Sequence, residues 1–394
     1  NWKLFCNVLR ERTGRPLEEL LLNGVHFDEM SFDDYQDLLL TFASKNSSPN
    51  KRLGMAAASF SEKCMSFLFD VISQFSVQGV DLGFNELEPY IHIIIDKLST
   101  LPYNNLEYFT LNSSSFSCTQ NIGSLLKYLS RLPNLRFLDM SNIPEMFPSV
   151  FAYLYKYLPL FPSLQRIHFD SNCLTYKQCI MLCEILQKCP KLAHVSMKNE
   201  LTYPEAIKDQ EKEDGSDDKS TKEFAARTLG ATLYGFCRDR STLLGLDVDY
   251  GDISDEIQSR IAVTLMINMK KTIDSNFSQD EVTSQDDLLF DGKVISENAE
   301  GILHRLTSNL GDQSDPTKMY LLKKFVEKIE SLHYEVQKKI DIMFEKRETG
   351  TLPLKEKENL LRLVLLEKNL SNIMQLFAST SSMKIMETPE AELI

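Results

Sequence analysis

The sequence predicts an α/β fold in which short parallel strands alternate with helices along a repeating solenoid. Three observations lead to this prediction: an apolar pattern that recurs every 28 or 29 residues, helical apolar spacing between its copies, and prolines just before several copies. From Pro316 onwards the pattern changes to long helices. The chain is therefore expected to contain a repeat region followed by a separate helical part.

The recurring pattern is L-x-x-L-x-L, with a polar or small residue near the ninth position. Its clearest copies begin at Val77, Leu106, Leu135, Leu164 and Leu192. Weaker copies begin at Leu17, Leu53 and Leu243, and the copy at Leu53 relies on Ala56 and Ala58. Because the fourth and sixth residues point the same way only in a strand, the pattern favours strands over an all-helical solenoid.

The segments between the copies have the spacing of helices. Residues 121–132 and 176–188 place apolar side chains every three or four positions. Pro133, Pro162 and Pro190 each stand two residues before a strand start, where proline ends a helix. One strand and one helix cannot bury their apolar sides alone, so the units are expected to stack around a shared core.

A repeat of this length with a full helix resembles the ribonuclease-inhibitor-like class of leucine-rich-repeat proteins. The resemblance covers roughly residues 15–272. It implies a parallel sheet on a concave face and helices on a convex face. It says little about function, because one fold hosts many unrelated functions.

We predict four regions along the chain. Residues 1–272 form the leucine-rich-repeat solenoid, interrupted at about 203–222 by a flexible acidic insertion. Residues 273–315 form an acidic linker in which Leu288, Leu289 and Phe290 could cap the last repeat. Residues 316–378 form a helical hairpin and residues 379–394 a flexible tail. The insertion is read as a solvated loop, with a phospho-regulated arm (Ser216, Ser220, Thr221) as the alternative.

The hairpin prediction depends on two apolar seams. The first contains Leu322, Phe325, Ile329, Leu332, Val336, Ile340 and Met343. The second contains Leu363, Leu366, Leu370, Ile373 and Phe377. The sequence Glu348–Pro353 breaks the helix between them, and so short a turn favours packing of the two helices on each other. A contact with a second copy, making a homo-oligomer, is the alternative.

Composition limits the classes of partner. The 394 residues carry a formal net charge of −13, which repels a phosphate backbone, so no nucleic acid is expected. Apolar runs are far too short for a membrane span. The eight cysteines are scattered through apolar segments, which indicates a reducing compartment, the cytoplasm or alternatively the nucleus. Since the chain starts at Asn1, we expect it to be a piece of a longer protein.

Motifs for chemistry are missing from the sequence. There is no phosphate loop, nucleophile elbow or paired-histidine zinc motif, so we predict neither an enzyme nor a cofactor or metal. Cys173, Cys179, Cys183 and Cys189 have the wrong spacing for a zinc knuckle and are expected to be buried thiols. A carboxylate pair within Asp247–Asp249 is expected to belong to a binding patch.

The predicted binding surface is the concave face, formed by the third, fifth and seventh residues of each repeat. Because side chains alternate along a strand, these positions face away from the core. The predicted protein-binding residues are Tyr108, Thr110, Asn112, Phe137, Asp139, Ser141, Arg166, His168, Asp170, His194, Lys198, Asp247 and Asp249. Aromatic side chains and arginine interleaved with acids are typical of protein-binding faces.

The sequence therefore predicts a non-enzymatic scaffold or adaptor that binds a protein partner. One alternative is an assembly module that acts through the C-terminal helices. The other is a regulatory subunit of a phosphatase or another signalling enzyme. Arg166–Phe169 matches the phosphatase-docking pattern R-[VI]-x-F, but its Ile167 and Phe169 occupy apolar repeat positions and are expected to be buried.

Overall fold

The structure is a computed structural model that describes residues 2–11, 17, 19–45, 51–75, 77–100, 105–198, 218–249, 251–277, 292–299, 301–302 and 316–385. The chain forms two compact units. The first contains Asn1–Thr232 and Leu246–Asp252, and the second contains Leu233–Gly245 and Ile253–Ile394.

Eight strands form one sheet whose spatial order follows the order of the chain. The strands are β1 (Glu19–Leu21), β2 (Lys51–Gly54), β3 (Val77–Asp81), β4 (Tyr108–Thr110), β5 (Phe137–Asp139), β6 (Arg166–His168), β7 (His194–Met197) and β8 (Gly245–Val248). Every residue-level pairing from β1 to β7 is parallel. The predicted α/β leucine-rich-repeat solenoid is thereby confirmed.

One helix precedes the first strand, a helix follows each strand, and further helices complete the described chain. They are α1 (Trp2–Glu11), α2 (Phe32–Lys45), α3 (Glu62–Gln74), α4 (Ile91–Ser99), α5 (Thr119–Leu129), α6 (Phe151–Tyr157), α7 (Tyr176–Leu186), α8 (Asp218–Asp239), α9 (Asp255–Phe277), α10 (292–299), α11 (Pro316–Glu348) and α12 (Leu354–Ile385). Each helix from α1 to α6 contacts the next one, as the stacking of repeats requires. Among the described residues, no helix has both the length and the apolar character of a membrane span.

The fourth repeat position forms the central core column of the first unit. Its members are Leu20, Leu53, Val80, Phe109, Leu138, Ile167 and Val195, all of them buried. The register corrects one prediction, because Leu53 pairs with Leu20 and Val80 and is therefore a fourth residue, not a first. The second repeat begins three residues earlier than predicted, since Ala56 and Ala58 imitated the apolar pattern.

The chain leaves each strand through the same turn. At the eighth repeat position, φ is positive, between 51° and 73°, in six successive repeats. These residues are Gly24, Ala57, Phe84, Ser113, Asn142 and Ser171. Each donates its backbone N–H to a carbonyl of the next repeat at 2.7–2.9 Å. This ladder extends the pairing of the repeats beyond the strands themselves.

The second unit contains the predicted hairpin. The α11 seam from Leu322 to Met343 is buried as predicted, and so are Leu363, Leu366, Leu370 and Ile373 of α12. Helices α11 and α12 pack on each other, and α11 also contacts α9. Gly292 begins α10 so close to Leu366 that a Cβ there would lie 2.6 Å from Leu366 Cδ2.

Several predicted segments lie partly or wholly outside the described residues. These are the insertion up to residue 217, which includes Ser216, as well as Leu288–Phe290 and the side chain of Phe377. Helix α8 begins at Asp218, inside the range predicted as a flexible insertion. Helix α12 continues to Ile385, beyond the predicted end of the hairpin at residue 378.

Candidate protein-binding surface

The surface opposite the core column is formed by odd repeat positions, and we call it the polar sheet face. Strand register aligns its third positions as Gly79, Tyr108, Phe137, Arg166 and His194. It aligns the fifth positions as Gly54, Asp81, Thr110, Asp139, His168 and Ser196. The predicted site residues on β4 to β7 thus lie in two continuous columns, with the seventh positions beyond them.

An aromatic row, defined as Tyr108, Phe137 and His168, crosses three neighbouring strands. The Tyr108 and Phe137 ring centroids are 6.2 Å apart, and those of Phe137 and His168 are 4.9 Å apart. Both pairs meet edge to face, a favourable aromatic geometry. All three side chains are half-buried, so the row combines a fixed position with access for a partner.

Two arginines flank this row. The Arg52 guanidinium lies 4.0 Å from the Tyr108 ring centroid, and the Arg166 guanidinium lies 6.0 Å from that of Phe137. Gly79 makes room for the first contact, because a Cβ at this position would lie 2.9 Å from Arg52 Cγ. Glu19 accepts a hydrogen bond from Arg52 at 3.2 Å and so helps to hold its guanidinium.

His168 is an uncharged residue that contacts both Phe137 of the aromatic row and the neighbouring carboxylate of Asp139. Its pKa is lowered to about 3, first by burial and then by the positive charges of His194 and Arg166. Arg166 Nε donates to His168 Nε2 at 3.2 Å, which assigns the imidazole proton to Nδ1. That nitrogen lies 3.9 Å from an oxygen of Asp139, so the imidazole that faces this carboxylate is a neutral ring.

Asp81 and Asp139 occupy fifth positions two strands apart, and the fold fixes both carboxylates. Asp81 Oδ1 accepts hydrogen bonds from the Gly83 N–H at 2.9 Å and the Thr110 hydroxyl at 2.5 Å. Asp139 Oδ1 accepts from the Ser141 N–H at 2.9 Å. Burial, and next the charges of Asp170 and Asp81, raise the pKa of Asp139 against the opposing hydrogen bonds from Ser141.

Asp170 continues this acidic surface at a seventh position. Its Oδ1 accepts from the Ser196 hydroxyl at 2.6 Å and from the Lys198 N–H at 2.7 Å. Its own backbone N–H donates to the Ser141 hydroxyl at 3.0 Å. Asp170 is therefore held by hydrogen bonds to Ser141 of the preceding repeat and to Ser196 and Lys198 of the following repeat.

His194 lies in the predicted column but is not accessible, and this corrects the expectation of an exposed side chain. Only 1% of it is exposed, because Asp247 of the following strand and the His168 ring lie against it. His194 Nε2 is 3.2 Å from an oxygen of Asp247, and Lys198 Nζ is 3.5 Å from the same oxygen. Burial raises the pKa of Asp247, but these two neighbours outweigh it and lower the pKa to about 2.

The remaining predicted residues frame the same face. Asn112 is half-buried, and a Cβ on Gly83 would lie 2.4 Å from its Oδ1, so glycine allows this close approach. Lys198 is exposed, while Asp247 and Asp249 are half-buried at the far end of the columns. The structure thus brings all the predicted residues onto one sheet face, where all of them are half-buried except the exposed Lys198 and the buried His194.

The sequence prediction missed several residues of this face. Among them are Glu19, Leu21, Arg52 and Asp81, of which Leu21 is 64% exposed. The prediction starts the second repeat at Leu53, and this register leaves Arg52 outside the repeat. Placing Leu53 at the fourth position would have put Arg52 at the third, in line with Tyr108. Asp81 is the fifth residue of the repeat that begins at Val77, so the predicted register of that repeat already places it on this face.

The other motifs lie in the interior. Cys179, Cys183 and Cys189 are buried as predicted, whereas Cys173 is exposed. In the part of the chain that the structure describes, no group of three or more His, Cys, Asp or Glu residues is arranged to hold a metal ion. Ile167 and Phe169 of the phosphatase-docking pattern are fully buried in the repeat core, so this segment cannot dock without unfolding.

Comparison with known proteins places these features in context. Residues 1–200 match the family model of the MHP1/HER1/GIP3 LRR domain, and residues 294–392 match that of the MAP-homologous protein 1 C-terminal domain. The chain is 54% identical over 385 residues to HMG2-induced ER-remodeling protein 1 of Saccharomyces cerevisiae, covering 96% of this chain and 31% of that protein. It is 26% identical over 406 residues to MAP-homologous protein 1 of the same yeast, covering 99% and 26%. The chain therefore spans a third or less of the length of these relatives.

Proposed function

Because the chain belongs to the MHP1/HER1/GIP3 leucine-rich-repeat family, we propose that it is a non-enzymatic scaffold or adaptor that binds a protein partner on the polar sheet face. The observation that supports this most is the half-exposed aromatic row flanked by Arg52 and Arg166. Tyrosine and arginine contribute most to protein–protein binding energy when they are held rigidly near the centre of an interface.

The sheet makes this surface rigid before a partner arrives. Tyr108 and Phe137 lie on strands that pair on both sides, and their neighbours along the strand are buried in the core. A preformed surface loses little conformational entropy on binding, so more of the contact energy remains as affinity.

We also propose that the protein is cytoplasmic. Its partner would then take part in ER remodeling, the process that the name of HMG2-induced ER-remodeling protein 1 contains.

Quantitative affinity purification with matched tyrosine variants tests the proposal. Tyr108→Ala removes one end of the aromatic row, the ring under Arg52, whereas Tyr334→Ala removes an exposed tyrosine from α11 in the second unit. Tyr108→Ala should reduce recovery of the specific partners at least tenfold, while Tyr334→Ala should leave it unchanged. Equal recovery with both variants, at equal melting temperature, would overturn the proposal.

A second candidate function is assembly through the C-terminal helices. Leu361 and Leu365 lie one turn apart on α12 and are 50% and 55% exposed. Two exposed leucines on one helix face are a surface on which a second copy could pack. Light scattering on the wild-type chain and on the Leu361→Ser/Leu365→Ser variant tests it. A monomeric mass for the wild type at all concentrations would exclude this function.

A further inference from the structure

The polar sheet face carries negative charge that its own cations do not balance. Asp81, Asp139 and Asp170 are held by hydrogen bonds through Oδ1 in each case. Within the described part of the chain, no Lys or Arg ion pair to any of these three carboxylates is present. The negative charges of these three carboxylates are therefore not neutralised by a Lys or Arg of the described residues.

The neighbouring basic groups are engaged elsewhere. Arg52 is paired with Glu19 and stacked on Tyr108, and Lys198 pairs with Asp247. Arg166 donates to His168, which is neutral at physiological pH. A partner that carries positive charge would meet complementary carboxylates here, whereas an acidic partner would be repelled.

We infer that the partner presents an extended basic segment to this face, with an apolar side chain on Tyr108 and Phe137 and lysine or arginine side chains at Asp81 and Asp139. This inference rests on the proposed function and specifies the chemistry of its partner. It also assigns Asp81, which the sequence did not identify, to the binding surface. The apolar contact supplies the anchor, and the two carboxylates at the neighbouring fifth positions select for positive charge.

The register of the sheet predicts the spacing of the basic residues. Asp81 and Asp139 lie on β3 and β5, with β4 between them. Neighbouring strands are about 4.8 Å apart, so the two carboxylates are separated by about 10 Å across the strands. An extended segment advances about 3.3 Å per residue, which places its basic residues three positions apart. The two residues between them then lie over Thr110, and an apolar side chain on one of them can reach Tyr108 and Phe137 at the neighbouring third positions.

Selection from a random twelve-residue peptide library displayed on phage tests the inference, with the full chain as the target. Sequences that bind the wild type but not Tyr108→Ala should be enriched in Lys or Arg at positions i and i+3, with apolar residues between. Enrichment of acidic sequences, of sequences without charge preference, or of none at all would overturn the inference.

Charge-matched variants then test the contact itself by fluorescence anisotropy of a selected peptide. Asp139→Asn keeps an oxygen for the Ser141 N–H but removes the charge, and it should weaken binding about tenfold. Asp33→Asn removes the same charge from the exposed side of α2 and should weaken binding less than twofold. Equal effects of the two variants would overturn the inference.

The two proposals fail in different ways. If partner recovery depends on Tyr108 but the selected peptides are not basic, the proposed protein-binding surface stands and the basic segment is wrong. If recovery of native partners does not depend on Tyr108, the proposed function itself is wrong, whatever the peptides show.

Discussion

Asn85 and Asn172 lie three repeats apart and make the same three hydrogen bonds. Each side-chain amide donates to two backbone carbonyls, Met55 and Leu82 for Asn85, and Met140 and Phe169 for Asn172, at 2.8–2.9 Å. Each side-chain carbonyl accepts a backbone N–H at 2.7 Å. Both side chains are buried, so they supply the hydrogen bonds that water would otherwise make to these backbone groups, at the point where the chain leaves the strand for the helix.

Asn172→Ala should destabilise the first unit by about 3 kcal/mol, because it leaves two carbonyls and one N–H without these bonds in the interior. Urea unfolding followed by circular dichroism measures the change. Asn369→Ala, on the exposed side of α12, is the matched control and should change stability by less than about 0.5 kcal/mol. A similar small effect for Asn172→Ala would mean that this hydrogen-bond pattern contributes little.

Two helix glycines should respond in opposite ways to alanine. At Gly123 in α5, a Cβ would lie 2.3 Å from the Tyr153 ring, so Gly123→Ala should destabilise by about 1–3 kcal/mol. At Gly235 in α8, no atom lies within 4 Å of a Cβ, so Gly235→Ala should stabilise by about 1 kcal/mol. Tyr153→Ala should remove the penalty of Gly123→Ala in a double-mutant cycle. A purely additive double mutant would show that the two residues are not in contact.

Phe84→Gly should raise stability by about 0.5–1 kcal/mol. Phe84 has φ of 59°, a conformation that strains every residue with a Cβ, and its side chain is 60% exposed, so little burial is lost. Phe84→Ala keeps the Cβ and serves as the control, which should not gain stability. Thermal unfolding compares the three proteins, and a lower melting temperature for Phe84→Gly would show that the aromatic ring itself stabilises the turn.

His168 should make the protein sensitive to mild acid. Its folded pKa of about 3 lies below the ordinary value of 6.5, so the unfolded chain binds a proton first as pH falls. The free energy of unfolding should therefore decrease between pH 6.5 and 3, by up to about 1.4 kcal/mol per pH unit. In His168→Gln, which can still accept from Arg166, this part of the pH dependence should be absent.

The control for acid sensitivity is His92→Gln, since His92 lies on the exposed side of α4. Chemical unfolding at pH 7.0, 6.0, 5.0 and 4.5 compares the two variants with the wild type. His92→Gln should follow the wild-type curve. If His168→Gln also follows it, the buried imidazole does not contribute to the pH dependence.

The core of the repeats could be predicted from the sequence because it depends on local periodicity. Phe109, Leu138 and Ile167 lie at equal spacing and are fully buried, as an apolar residue at a fixed place in a strand must be when units stack. The apolar seams of the hairpin were predictable for the same reason. Where two alanines imitated the pattern after Leu53, the prediction of the register failed, because small residues carry little information about burial.

The sequence by itself determined which positions face the core and which face outwards, since side chains alternate along a strand and apolar groups avoid water. Only the tertiary structure decided what each outward position does. It buried His194 under Asp247 and placed Arg52 over Tyr108 across the gap left by Gly79. It also left Asp81 and Asp139 without an ion pair to any Lys or Arg among the residues that the structure describes. Such contacts join residues about one to two repeats apart, and their geometry depends on the register of several strands at once, which no local pattern contains.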